Sequence, residues 1–426
     1  MKKFLLLPTM AVAAVLMLNS CELFCEQYAE LCCETECPEE ITSILVYLQP
    51  FTVPGTRATD GGQTKTSGWF DADAYLAEKL SKLRKDDPLF AFNSKGEITK
   101  MQAVESGNPA RVMRSDGLAL KREDVVAYGY LMLSGGTSGG ANFDTDPVYI
   151  NVDIPDGWDI NTNSIDLSSF LQKEGAFDQA MNAAYLTNRG AVVKTTFSSD
   201  KNTHINYIVI ITDEPFGYYA NVNAGSSQLI AQEASAMKFN FAGGIPLQNG
   251  NETTCYLPVP MNLSTETTQA TETTQATIAI QLTQEGSSDN LMTFIETPVS
   301  RNTFEIMAAT NVNNLESFKV LSCDANNKIQ ISASLSAGDS FCFHTVNERG
   351  EPFFPSSVAV NSQEPATSID GDSTPGDVVT DVRLVGNIVT FKITGIPGTA
   401  EIRAYNATGN LLTSWTIYCG PRPSTN

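Results

Sequence analysis

The chain is 426 residues long and carries 48 acidic against 27 basic side chains, a formal net charge of -21. A field of that sign repels polyanions, which argues against nucleic acid as a partner. Apolar residues make up 42% of the chain, with 21 Phe and 13 Tyr, enough for genuine cores in two or three domains and too many for wholesale disorder.

The chain opens with Lys2 and Lys3, an apolar run over residues 4–18, and then Leu18-Asn19-Ser20-Cys21. Residues 1–20 therefore read as a signal peptide and not as a membrane span, because the run falls short of the ~20 apolar residues a spanning helix needs. A small residue directly before a cysteine resembles the lipobox of bacterial lipoproteins. The resemblance implies that the Cys21 thiol is acylated and becomes the new N-terminus; plain secretory cleavage near Ser20, leaving a thiol, is the alternative. Cys25, Cys32, Cys33 and Cys37 follow closely, while Cys255, Cys323, Cys342 and Cys419 are scattered through the later half. With Cys21 set aside, each group of four permits two pairs, which favours disulfides in an oxidising compartment. A metal cluster in the leader is the rival, but it lacks a nearby His and a C-x-x-C doublet.

Residues 21–40 hold seven Glu and no Lys or Arg, the composition of a solvated leader. Residues 41–48 (ITSILVYL) read as a strand, and residues 54–68 as a Thr- and Gly-rich loop. Residues 70–87 read as a helix, with Leu76, Ala77, Leu80 and Leu83 on one face, Asp71 or Asp73 as cap, and Lys82, Arg84 and Lys85 at its C-terminal end. Helices also fit residues 167–184 and 228–237. Strands are expected at 125–133, 148–154, 191–198, 204–212, 277–283, 303–309, 329–335 and 340–345, each short and separated by Gly, Asn, Asp or Pro. The doubled hexad TETTQA over 265–276 is low complexity and reads as an exposed loop or irregular edge. Residues 356–377, with Pro365, Pro375, Glu364, Asp370, Asp372 and Asp377, read as a polar linker. Four compact strands follow at 378–384, 388–393, 400–405 and 411–418, the last two joined by a turn at Gly409-Asn410. The expected fold class is mainly β: two antiparallel β-sandwich domains, 58–215 and 216–355, a few short helices, and C-terminal strands over 378–426.

Catalytic signals are few. Gly136-Thr137-Ser138-Gly139-Gly140 matches the G-x-S-x-G nucleophile elbow, but no helix follows it, and the two histidines available as a base, His204 and His344, both sit in strand-like runs. A flexible hairpin loop is the expectation. Asp159, Asn161 and Asn163, like Asp370 and Asp372, place oxygens at alternate positions without the Gly and distal Glu of a complete calcium loop. The sequence therefore points to a protein that is not an enzyme, with no cofactor and no metal.

The order of the N-terminal features resembles the precursor region of fimbrillins, the major-pilin family of Bacteroidales. Cys21, an acidic spacer, a single strand over 41–48 and a flexible Pro-Gly-Thr-Arg-Ala-Thr-Asp-Gly loop over 54–61 carry the likeness. The resemblance implies two transthyretin-like β-sandwich domains and export as an outer-membrane lipoprotein. It also implies a cut between Arg57 and Ala58 by a trypsin-like protease, which removes lipid and first strand together. The vacated groove would accept a C-terminal strand from another copy or a related subunit, here with Leu412, Trp415 and Ile417 as groove-filling residues, and the filament would meet a host or bacterial surface receptor. The Cys-rich leader, the hexads and Cys419 depart from the family and leave room for a minor, tip or anchor subunit that keeps its lipid. Two other readings compete. Tandem sandwiches with Trp69, Trp158, Tyr218 and Tyr219 as a sugar platform describe a glycan-binding surface lipoprotein. Residues 388–412 also resemble the C-terminal sorting domains of secreted Bacteroidota proteins.

Overall fold

The computed structural model describes residues 40–49, 51, 82–85, 87, 89–92, 97–121, 130–133, 142–145, 149–157, 164–178, 181–220, 230–248, 250–261, 273–331, 336–347, 352–366 and 376–420. The cysteine-rich leader, the Arg57-Ala58 loop, the glycine loop at 136–140, both candidate calcium clusters and residues 70–81 of the expected first helix lie outside them. The protein is mainly β, in several sheets with sandwich-like packing; the helical elements among the described residues are the 3-10 turns Ser168–Phe170 and Val312–Asn314.

Seven strands close into a barrel in the order Lys173–Asp178, Ala183–Asn188, Ile44–Leu48, Ala110–Arg114, Ile98–Ala103, Leu89–Phe92 and Tyr130–Leu133. Alternation does the sorting here: Ile44, Val46 and Leu48 are at most 3% exposed and join Met101, Val112 and Leu186 in the interior, whereas Leu45 is 39% exposed.

A ten-stranded sheet forms the centre of the molecule, running from Val379–Val385 through Ile388–Ile393, Ser340–His344, Ser317–Leu321, Asn290–Ser300, Thr273–Gln284, Thr203–Ala220, Ile230–Leu247 and Tyr149–Ile154 to Asn142–Thr145. Two smaller sheets pack on one of its faces. One, built on Ser164–Asp166, Thr253–Pro260, Gly190–Ser198 and Phe304–Ile306, meets Ile208, Ile210, Ile278 and Ile280. The other, Lys328–Ile331, Leu411–Cys419, Gly398–Tyr405 and Ser357–Pro365, meets Phe341, Phe343, Val389 and Phe391. The opposite face carries a core of its own, with Val209, Ala279, Met292, Phe318, Cys342 and Ile388. Register proves that these residues share one face, since Val209 pairs with Ala279, Met292 with Phe318, and Val320 with Cys342.

That face is concave. Tyr207 and His344 lie four strand spacings apart, roughly 19 Å in a flat sheet, yet the Tyr207 hydroxyl stands 2.8 Å from His344 Nε2. A Cβ at Gly386, in the turn after Val379–Val385, would meet the Ile211 side chain, a second place where the sheet folds back on itself. Two sandwiches thus share one curled sheet.

Several expectations need correction. Residues 167–184 form one 3-10 turn, the strand Lys173–Asp178 and the start of Ala183–Asn188. The single turn accounts for the helix-like spacing of Leu167, Phe170 and Leu171, and Gly175 then lies against the Tyr185 carbonyl, a backbone approach that leaves no room for a Cβ. Residues 228–237 contribute to the 18-residue strand Ile230–Leu247. Its Ala, Gln and Glu are helix formers, but pairing on both edges overrides propensity, and Ala236 and Met237 are buried on opposite faces. Within the expected linker, Ser357–Pro365 is a nine-residue edge strand, with Val358 and Val360 turned to the core and Pro365 at its end. The second hexad enters the sheet at Thr273, pairing with Ser300. The boundary expected at residue 215 falls inside Thr203–Ala220, at a bulge between Ile211 and Phe216 that accommodates Pro215.

Candidate functional site

The slot filled by Ile44–Leu48 is where sequence and structure converge. This strand runs antiparallel to Ala110–Arg114, with Ile44 opposite Val112 and Val46 opposite Ala110, and parallel to Ala183–Asn188, with Val46 opposite Ala184 and Leu48 opposite Leu186. It is an interior strand of a closed barrel, held on both edges. Burial of Ile44, Val46 and Leu48 contributes about 5–9 kcal/mol at ~1.5–3 kcal/mol each. On the outer surface Tyr47 stacks on Tyr185 with ring centroids 4.9 Å apart.

The end of the strand is held by a side chain. Leu83 and Gly107 exchange backbone hydrogen bonds of 3.0 and 2.9 Å, which draws residue 107 away from the barrel strand. The Asn108 carboxamide pairs with Leu48 instead: Leu48 N donates to Oδ1 at 3.0 Å, and Nδ2 donates to Leu48 O at 2.8 Å. Sequence reasoning missed this contact, because an Asn before a Pro signals a turn and nothing more.

Near the same barrel, Lys173 is 5% exposed, and burial pushes its ammonium down to about 8 against the opposing pull of Asp87 and Asp166. Its neighbour Glu174 lies 3.4 Å from Arg189 Nη1; burial raises its carboxyl, and Arg189 and Arg301 counter the rise.

The C-terminal strand Leu411–Cys419 occupies a slot of the same mixed polarity, antiparallel to Gly398–Tyr405 and parallel to Lys328–Ile331. Trp415 and Ile417 are fully buried in their own chain; Trp415 lies edge-on to Phe343 at 5.1 Å and stacks on Phe353 at 6.2 Å. Leu412 is 46% exposed, so the structure unites two of the three expected groove-filling residues and leaves the third at the surface. Beside this slot Ser322, Cys323, Asp324, Lys328, Gln330 and Tyr418 line an open hollow of about 370 Å³.

The four cysteines read as disulfide candidates carry free thiols and are distributed over three cores: Cys255 in one, Cys342 in a second, Cys323 and Cys419 in a third. Burial raises Cys255, Cys323 and Cys342 to about 12 and Cys419 to about 11. His204 is exposed, and His344 Nε2 stands 2.8 Å from the Tyr207 hydroxyl; Ser138 lies outside the described residues. Among the described residues no group of three or more His, Cys, Asp or Glu is placed to hold a metal ion, and no helix is long and apolar enough to cross a membrane. Cys21, Arg57, Ala58, Trp69 and Trp158 are outside the described residues, as are the side chains of Tyr218 and Tyr219.

No protein-family model matches the chain, and no curated protein matches it. Among solved structures it is similar to a candidate cell adhesion protein from Bacteroides fragilis, at 8% identity and a TM-score of 0.23, over 66% of this chain and 96% of that one. It is also similar to a candidate cell adhesion protein from Bacteroides eggerthii, at 10% identity and a TM-score of 0.20, over 91% of this chain and 100% of that one. Both likenesses are too slight to transfer a function.

Proposed function

We propose that this chain is a structural subunit of a cell-surface fimbria that supports adhesion, exported as a lipoprotein on Cys21, matured by a cut after Arg57 and polymerised by strand exchange. The observation that carries the reading is the position of Ile44–Leu48, an interior strand of a closed barrel that precedes Arg57 in the chain. One cut after Arg57 severs it from every later strand. Its loss opens the edges of Ala110–Arg114 and Ala183–Asn188 and bares the apolar face that Ile44, Val46 and Leu48 cover. Unpaired strand edges beside an apolar groove drive the addition of a strand from elsewhere.

The donor in this reading is the C-terminal strand of another copy or of a related subunit, and its buried Trp415 and Ile417 supply the alternating apolar side chains such a groove takes. The strand is already seated in its own chain, so donation requires its withdrawal from a filled core. Substituting Arg57→Ala tests the maturation step. The variant is expected to accumulate uncut at the cell surface without filaments under the electron microscope; abundant filaments built from uncut Arg57→Ala chains overturn the reading.

A further inference from the structure

We propose that Asn108 is the register pin of the first-strand slot, fixing where an occupying strand stops and accepting any residue but proline at that point. Resting on the fimbrial reading, the inference also names the incoming partner: a β-strand of a second copy of this chain with three apolar side chains at alternate positions.

Antiparallel pairing with Ala110–Arg114 sets Val46 against Ala110, so residue 108 is the next to face Leu48. Its backbone neighbours do not continue the ladder. Pro109 has no N–H to give, and both backbone groups of Gly107 are committed to Leu83. Asn108 substitutes one side-chain amide for a peptide group, with its acceptor on Leu48 N and its donor on Leu48 O. A carboxamide so oriented reads backbone alone and is indifferent to the side chain at position 48. Proline is rejected because it offers no N–H.

Register matters here for a specific reason. A slip of one residue would turn Ile44, Val46 and Leu48 out of the barrel and Leu45 and Tyr47 into it. A slip of two residues keeps the faces but leaves one apolar position empty. The opposite edge repeats similar backbone bonds along its length, Leu45 N to Asn182 O and Gln49 N to Leu186 O, both 2.9 Å, and so discriminates weakly against a slip of two. Asn108 acts at one place only, which is what makes it a stop.

Amide hydrogen exchange on the uncut chain tests the pin without any need for strand release. In Asn108→Ala the Leu48 amide is expected to exchange about tenfold faster or more, while the Gln49 amide, which bonds to Leu186, changes little. Asn108→Asp keeps the acceptor for Leu48 N while losing the donor to Leu48 O, and is expected to leave the Leu48 amide better protected than Asn108→Ala does. In the chain cut after Arg57 and stripped of its N-terminal fragment in mild denaturant, a labelled peptide of residues 40–51 should enter the slot, and Leu48→Pro in that peptide should weaken binding strongly in wild type and much less in Asn108→Ala. A Leu48 amide equally protected in wild type and Asn108→Ala overturns the pin, as does an equal proline penalty in both proteins. Loss of Leu48 protection together with a cut chain that never accepts the peptide leaves the pin standing and overturns the fimbrial reading.

Discussion

At the scale of single residues, the side chains that hold this fold make distinct, measurable contributions. His344 sits at the closing point of the curled sheet, and burial together with the Lys238 ammonium pushes its imidazole down to about 4 from an ordinary 6.5. The folded state therefore resists a proton that the unfolded chain accepts between these values, so stability is lost as pH falls from about 6.5 towards 4, by up to about 3 kcal/mol. His344→Gln keeps a partner for the Tyr207 hydroxyl and removes the titration, so its denaturant midpoint should fall less steeply over that window. Trp415 predicts a different loss. Truncation to Ala empties the space between Phe343 and Phe353 and should cost about 3–5 kcal/mol in urea or heat denaturation. The Cys255, Cys342 and Cys419 thiols are held protonated by burial, so their alkylation by iodoacetamide near neutral pH should be slow until the chain unfolds. Fast labelling of Cys255 or Cys342 in the folded protein would contradict their placement in closed cores.

At the scale of elements, the strand Ile44–Leu48 is held by two ladders, three buried side chains and the Asn108 clamp. Cutting the chain behind it removes its covalent tether and none of these contacts. A chain cut after Arg57 should therefore keep its N-terminal fragment through gel filtration in dilute buffer and release it in mild denaturant or to a competing strand. Immediate loss on cutting would mean that the slot binds far more weakly than its burial implies. This strand was legible in the sequence, because ITSILVYL is rich in β-branched and aromatic residues, and so were the last two C-terminal strands, which flank the turn at Gly409-Asn410. The helices expected at 167–184 and 228–237 were not legible as strands. In the first, one 3-10 turn reproduces helical spacing and Gly175 marks a close backbone approach; in the second, a strand buried on both faces loses the alternation that would reveal it. Ser357–Pro365 looked like a linker because its second half, Asn361 to Glu364, is polar at every position, and the register shift there hides the alternation an edge strand would show.

At the scale of the whole molecule, one curled sheet joins two sandwiches, and a separate barrel stands at the N-terminal side of the chain. The sequence contains the strands of this arrangement but not the curl, which depends on partners such as Tyr207 and His344 at 137 residues' separation. The barrel has the feature on which the proposed assembly depends: its third strand in ladder order is its first in the chain, and the candidate cut lies after it. In the proposed assembly, export, lipid attachment and maturation would all act ahead of residue 58, so a single chemical fact about the assembled protein tests them together. That fact is the N-terminal residue of the chain in filaments purified from the cell surface. Ala58 is the expected residue; filaments made of chains that begin at acylated Cys21 and still carry Ile44–Leu48 would contradict the proposed maturation.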